Sequence, residues 1–575
     1  MIRWKGATNN IFVTHSFISQ HINKFEIAMK STAYPPTHHT ATPCHTAATH
    51  DYQTLLTSGC SPKSLIAVAV ATVLVAAASP SALAAETIVI DNILVDQNDP
   101  SANYNDPQND YQIKFNGAKM DPASISVEGN QLDATINSLL ISDSDVNFNW
   151  TSNILYGIKG TASSTINITT NDITFKSYDS KARNLYGFHA NNSTLNLKAN
   201  NGSVTIDLSK TKENQPDGYA NGPSDGTSII RSENSSMIEV NASEEILLKF
   251  NSNKRENGIY GLFNDNSTIN LAADGKLTID VEGTNTNTPP GTTITAIRSA
   301  NQPSADDTKN NISLEVTGNI DSIGGPTIDI RASGTGYNAV RAVETNNSDF
   351  QASAQYGNIT ITANNDDRGV AYALHLTKSE NSTILANTGD ITIKSSVGDK
   401  STLSGHSIGA WTNNSKLTLK GKTISFNNSN NSSHDSAYSY SIYSSSAGKM
   451  IVEEGSENLE IATSSLSKNS YSIYNDGSTI DLNLSKTVDI TTDNCGIYST
   501  KAGKTEVTAE SIEISAGTTT EEGFGNGTAL LALEGANTTL TAEDGNTLRG
   551  IVGAKENNTN VSISVSTLST SGASK

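Results

Sequence analysis

A three-beat motif recurs along most of this chain, and no other feature limits the fold so strongly. One copy reads Leu155-Tyr156-Gly157-Ile158, then Thr165-Ile166-Asn167-Ile168, then Asp172-Ile173-Thr174-Phe175. The next reads Leu185-Tyr186-Gly187-Phe188, Thr194-Leu195-Asn196-Leu197 and Ser203-Val204-Thr205-Ile206. A third begins at Ile259-Tyr260-Gly261-Leu262, and further copies start near Ile229, Ile297, Val340, Tyr372, Ile408, Ile442, Ile473, Ile497, Leu530 and Ile551. Within each beat apolar and polar residues alternate, so Ile166 and Ile168 share one face of a strand and Thr165 and Asn167 the other. One three-strand unit buries almost nothing. Stacked units pair strand on strand in parallel and join their inward residues into continuous aliphatic columns.

The spacing predicts an all-β parallel solenoid of about thirteen coils over 151–565, with 85–150 as a lead-in and cap region. Asn171, Asn200 to Gly202 and Asp274-Gly275 fall between beats, where positive φ is expected to turn the corner. Pro223, Pro289, Pro290, Pro303 and Pro326 stand outside the beats, as a ladder that uses every backbone N–H requires. A β-sandwich array would show antiparallel hairpins instead of one recurring unit, and a left-handed hexapeptide helix would show a six-residue apolar period. Disorder is excluded by the alternation, which a disordered polar tract has no reason to keep.

Leu65 to Ala78 is an apolar run broken only by Thr72, preceded by Lys63 and followed by Ser79-Pro80-Ser81 and Ala82-Leu83-Ala84. This is the pattern of an export signal, too short for a permanent membrane helix, with cleavage expected between Ala84 and Ala85. Residues 1–84 then form a long leader, with Met29, followed by Lys30, as an alternative start. Cys60 precedes the apolar run, so a lipoprotein reading fails. Of the cysteines Cys44, Cys60 and Cys495, only Cys495 outlasts cleavage, which leaves no intramolecular disulfide.

The formal net charge is −20, and removing the five basic and two acidic residues of 1–84 leaves 33 Lys and Arg against 56 Asp and Glu. No basic cluster exists to displace counterions, so nucleic acid is not an expected partner.

The units of GIYG or SIY type, followed by STINL and GDITI, resemble the passenger domains of type V secretion autotransporters over about residues 150–565. That resemblance implies a right-handed β-helix of pertactin-like form, exported by the Sec route and displayed at or released from a Gram-negative cell surface. It further implies a structural or adhesive module that meets a host-cell, matrix or bacterial surface ligand. An outer-membrane translocation barrel is implied as well. Residues 566–575 carry no barrel pattern, so they read as a tail cut before that barrel, which otherwise would be a separate chain.

Catalysis is not expected, nor is any cofactor or metal. The alternative is a carbohydrate-active β-helix enzyme acting on acidic polysaccharide, with Asp366-Asp367 and Gly405-His406-Ser407 weakly resembling polygalacturonase motifs. The Asn-Thr-Asp and Arg-x-Lys motifs that would accompany them are missing, and Asp366 to Arg368 read as a turn. His189, His375, His406 and His434 read as scattered surface residues. Asp96, Asp99, Asp106 and Asp110 lack the spacing of a calcium-binding roll and read as loop. Asn192-Ser193-Thr194 and similar sequons read as chance products of an Asn- and Thr-rich composition. Arg231, Arg298 and Arg341 are expected at matching outward places in three units, as a polar ladder in preference to the lining of an anionic-sugar groove. Tyr156, Tyr186, Tyr260, Tyr372, Tyr443, Tyr474 and Tyr498 are expected as one aromatic stack along the rod in preference to a carbohydrate platform, although an outward ladder could serve as both.

Overall fold

The computed structural model describes residues 87–571 apart from short stretches, the longest being 143–153, 210–225, 302–310 and 518–526. The leader, Met29 and the Ala84–Ala85 junction lie outside the described residues, as do Pro223, Pro289, Pro290, Pro303 and Pro326.

Among the described residues every regular element is a β-strand, and the strands form a narrow sheet of 15 and a wide sheet of 25. All pairings are parallel, for example Asn184–Asn191 between Ile154–Thr161 and Thr227–Glu233. This is the expected parallel β-solenoid. First beats build the narrow sheet, and each of the thirteen unit starts read from the sequence falls on one of its strands, from Ile154–Thr161 to Ile551–Ala554. Two earlier strands, Ile93–Val95 and Ala123–Glu128, complete the fifteen, so the lead-in region 85–150 supplies rungs of its own. At about 4.8 Å per rung the described solenoid is roughly 70 Å long.

Second and third beats share the wide sheet. They are separate strands in the middle of the chain, such as Thr165–Thr170 and Asp172–Lys176, and fuse near its C-terminal end into Lys449–Ser465, Thr479–Thr492, Lys504–Ala516 and Asn537–Arg549. Each fused strand keeps its corner as a shift of register. Ser101–Lys114 is also long, and Pro107 sits inside it at the register shift between Asp106 and Asp110, where the ladder needs no N–H. Asp106 and Asp110 therefore lie in a strand and not in a loop, while Asp96 and Asp99 lie outside the described residues. Asp110 accepts hydrogen bonds from Asn137 and Ser138 of the next rung, at 2.8 and 2.6 Å.

The core is the set of inward columns. Ile168 stacks through Leu197, Val240, Leu271, Leu314 and Ala352. Ile173 belongs to a neighbouring column that runs on through Val204, Ile246, Leu277, Ile328 and Ile359. All are essentially inaccessible to water. Each buried aliphatic side chain stabilises the fold by roughly 1.5–3 kcal/mol before conformational entropy is subtracted.

Positive φ occurs at a different corner from the one expected. Asn171, Asn200, Gly202, Asp274 and Gly275 keep ordinary φ, whereas Asn192, Asn234, Asn266, Asn347 and Asn414 take values of 47–56° where the first beat turns into the second. A serine follows closely and is buried, as at Ser193, Ser236 and Ser267, and these stack so that the Ser193 and Ser236 N–H groups each donate to the next serine's Oγ at 3.1 Å. The Asn-Ser-Thr triplets are thus corner pieces: Asn tolerates the left-handed turn, Ser bonds along the axis, and Thr opens the second strand.

Candidate binding face

The outer face of the narrow sheet differs from the rest of the surface. Each first beat is bent: Leu155 and Ile158 both point inward, with Tyr156 outward and Gly157 at the bend. The glycine has a packing reason. A Cβ on Gly157 would lie 2.5 Å from the Gly187 carbonyl oxygen and 2.7 Å from the Phe175 ring, and Gly261, Gly409 and Gly496 meet similar obstacles.

The bend leaves two outward columns. Tyr156, Tyr186, Ser228 and Tyr260 begin the first, and Tyr372, Ile408, Tyr440 and Tyr471 continue it. Lys159, His189, Arg231 and Phe263 begin the second, and His375, Trp411, Tyr443, Tyr474 and Tyr498 continue it. The expected single tyrosine stack is therefore two neighbouring stacks, with Tyr443, Tyr474 and Tyr498 in the second. The arginines are corrected in the same way. Arg231 and Arg298 share the second column through Phe263, but Arg341 pairs with Thr295 and Tyr372 in the first, and Glu344 takes the place opposite Arg298.

Toward the N-terminal end the face mixes charge with aromatic rings. Arg231 donates to Glu233 at 2.6 Å and lies over the Phe263 ring at 4.3 Å. His189 Nε2 is 3.0 Å from the same carboxylate, and its ring stacks on Tyr156 and Tyr186 at 5.2 and 5.6 Å. Burial lowers the His189 pKa and outweighs the pull of Glu233, so the ring is neutral near pH 7 and donates from Nε2. Burial opposes ionisation of Glu233, yet hydrogen bonds from His189 and Arg231 and the arginine charge hold its pKa down at about 2.

Toward the C-terminal end the columns become aromatic. His375 stacks on Trp411 at 4.6 Å and 17°, Trp411 on Tyr443 at 5.3 Å, and Tyr474 on Tyr498 at 5.0 Å. Tyr440 lies within 5.4 Å of Tyr438, Tyr443, Tyr471 and Tyr474. His406 stacks on Tyr438 at 3.5 Å. From the strand His406–Asn413 to the strand Cys495–Thr500 neither column holds a charged side chain. The flanking charges are Arg341 with Glu344, 3.6 Å apart, and Lys501 with Asp476, 2.9 Å apart.

Three histidines read as surface residues are therefore wedged among rings, and only His434 is exposed. Asp366 is an exposed turn residue that accepts from Asn364 at 2.8 Å and Thr335 at 3.4 Å. Asp367 and Arg368 lie outside the described residues. Cys495 is buried in the first column next after Tyr471, and burial pushes its thiol up to about 12. Sequence reasoning passed over Tyr438, Tyr440, Tyr471 and Trp411. Their signal was distance from the inward aliphatic residue: Tyr440 stands two before Ile442, as Tyr156 does before Ile158, while Tyr443 stands one after.

No protein-family model matches this sequence, and no curated protein or solved structure matches it either.

Proposed function

We propose that the chain is an exported, non-catalytic surface rod of the autotransporter-passenger kind, an interaction module that meets a host-cell, matrix or bacterial surface. The observation that supports this best is the outer face of the narrow sheet, where side chains repeat at rung spacing on a rigid, in-register support. The Leu65–Ala84 signal pattern supports export, and an outer-membrane translocation barrel is the partner such a route requires.

Expressed with its leader in a Gram-negative host, the chain is expected to leave the cytoplasm and to begin at Ala85, as mass spectrometry of its N-terminus would read. A cytosolic chain that keeps its leader overturns the export reading. Incubated with polygalacturonate, the exported chain is expected to release no reducing ends. Release that disappears on Asp366→Asn would establish the carbohydrate-active alternative instead.

A further inference from the structure

We propose that the uncharged aromatic strip from His406–Asn413 to Cys495–Thr500 is a binding subsite for a neutral, linear glycan lying along the solenoid axis. This names a ligand class for the interaction module and rests on that reading.

The strip inverts the usual pattern. In the strands Tyr438–Ser445 and Ser470–Asp476 the inward places hold Ser439, Ser441, Ser470 and Ser472, all buried, while Tyr440, Tyr443, Tyr471 and Tyr474 point outward and are half-buried. Burial of apolar area alone favours the opposite arrangement. Among the described residues no group takes up the Tyr440, Tyr471 or Tyr474 hydroxyl, and none of the three is a fully buried unpartnered atom, so each reaches water. Burial, reinforced by neighbouring phenols and, at Tyr471, by the Cys495 thiol, raises all three pKa values, which keeps these hydroxyls protonated and able to donate.

Size and charge select among occupants. Four rungs span about 15–20 Å and two columns are narrow, so the strip offers a few hundred Å² at most. A stable interface with a second copy or a folded partner needs about 800 Å² per side. A peptide added as a strand needs a free edge, and every strand of the strip is paired on both sides. An acidic polysaccharide would meet an uncharged strip on a chain of net charge −20. A neutral glycan remains: it is narrow, presents C–H faces to rings and hydroxyls to phenols, and repeats at close to the rung spacing.

The test uses the full exported chain, with laminarin, mannan, xyloglucan and galactan as neutral probes and polygalacturonate as the acidic one, read by affinity electrophoresis and calorimetry. At least one neutral probe is expected to bind, with an affinity unchanged between about 50 and about 500 mM salt. The combination Tyr440→Phe, Tyr471→Phe and Tyr474→Phe keeps the rings and is expected to weaken binding about fivefold to tenfold with an unchanged circular dichroism spectrum. Tyr443→Ala with Tyr474→Ala is expected to remove it. Binding of no neutral probe, full affinity in the Phe combination, or salt-sensitive binding of polygalacturonate alone overturns the assignment, as does a peptide ligand lost in the same variants. A chain that coats beads and adheres to cells yet binds no neutral glycan loses the subsite and keeps the interaction role. One that does neither loses both.

Discussion

Phe250, Val281, Ala332 and Ala363 follow one another in register down one inner corner of the solenoid, and the next four places of that column are Ser395, Asn428, Thr463 and Thr492. The facing column changes with it, from Ile259, Ile294, Val340 and Ala371 to Ser407, Ser439 and Ser470. All are buried on one backbone path, so the path does not dictate the chemistry that fills it. The apolar half is held by non-directional burial. The polar half is held by bonds: Ser395 Oγ lies 2.6 Å from both Ser407 Oγ and Asn428 Oδ1, and Asn428 Nδ2 donates to the Ser407 and Tyr440 carbonyls. Further on, Thr463 lies 2.7 Å from Ser441 Oγ and 3.0 Å from Ser472 Oγ. Such a network fixes register more strictly than aliphatic packing, because a one-residue slip breaks every bond in it. The rungs with the polar corner also carry the aromatic strip, so rigid register and display coincide.

The largest expected effects separate the two halves by mechanism. Phe250→Ala should cost about 3–5 kcal/mol through the cavity it leaves. Asn428→Ala should cost about 2–3 kcal/mol through the groups it strands. Converting the whole side-chain cluster, with Ser395→Ala, Ser407→Ala and Asn428→Val, should be milder than Asn428→Ala alone, since the Ser395 and Ser407 hydroxyls go together with their partner, valine fills more of the space, and only the Ser407 and Tyr440 carbonyls lose a donor. Urea midpoints with hydrogen exchange of the affected strands measure all three. A triple variant worse than the single would break the contrast.

Acid should act next, with a smaller effect, on the aromatic end. Burial lowers the His375 pKa to about 4, with Arg341 adding to the shift and Glu344 opposing it. The folded state thus favours the neutral ring, and its contribution is complete above pH 6.5 and is lost as the pH falls from 6.5 towards 4. Discounted for partial exposure, the loss is about 2 kcal/mol. Burial also lowers His406 to about 4, against the backbone of Gly405, so it changes in the same window. Glu233 titrates outside it, near 2. Comparing His375→Phe with the parent chain isolates the ring from the carboxylates: the variant should lose less stability between pH 7 and 4, and equal slopes would refute the assignment.

The rungs were legible in the sequence because period-two alternation reports directly which residues face inward, and Ile166, Ile168, Ile173 and Phe175 all do. The corner conformation was not, since Asn and Gly stand at two corners and only the backbone distinguishes them; Asn192 is left-handed and Asn171 is not. The binding face was half legible. Tyrosine recurrence is visible, but the bend at Gly157 places residues on both sides of it outward, so one apparent series divides into two columns. The polar corner was hidden by the alternation itself, because Ser439 and Ser441 beside Tyr440 read as the outer face of a strand whose larger residues point in.

The smallest effect tests that inversion residue by residue. Ser439 and Ser441 lie two apart on one strand and are equally buried, yet Ser441 bonds to Thr463 while the Ser439 hydroxyl has no partner. An unpaired buried hydroxyl costs its desolvation and returns nothing, so Ser439→Ala should stabilise the chain by about 1 kcal/mol, whereas Ser441→Ala should destabilise it by about the same amount. Opposite signs from two identical substitutions on one strand would tie the polar corner's stability to its bonds and not to serine's small size. If both variants gain stability, packing governs this corner as it governs the apolar rungs above it, and the difference between the two halves is one of composition alone.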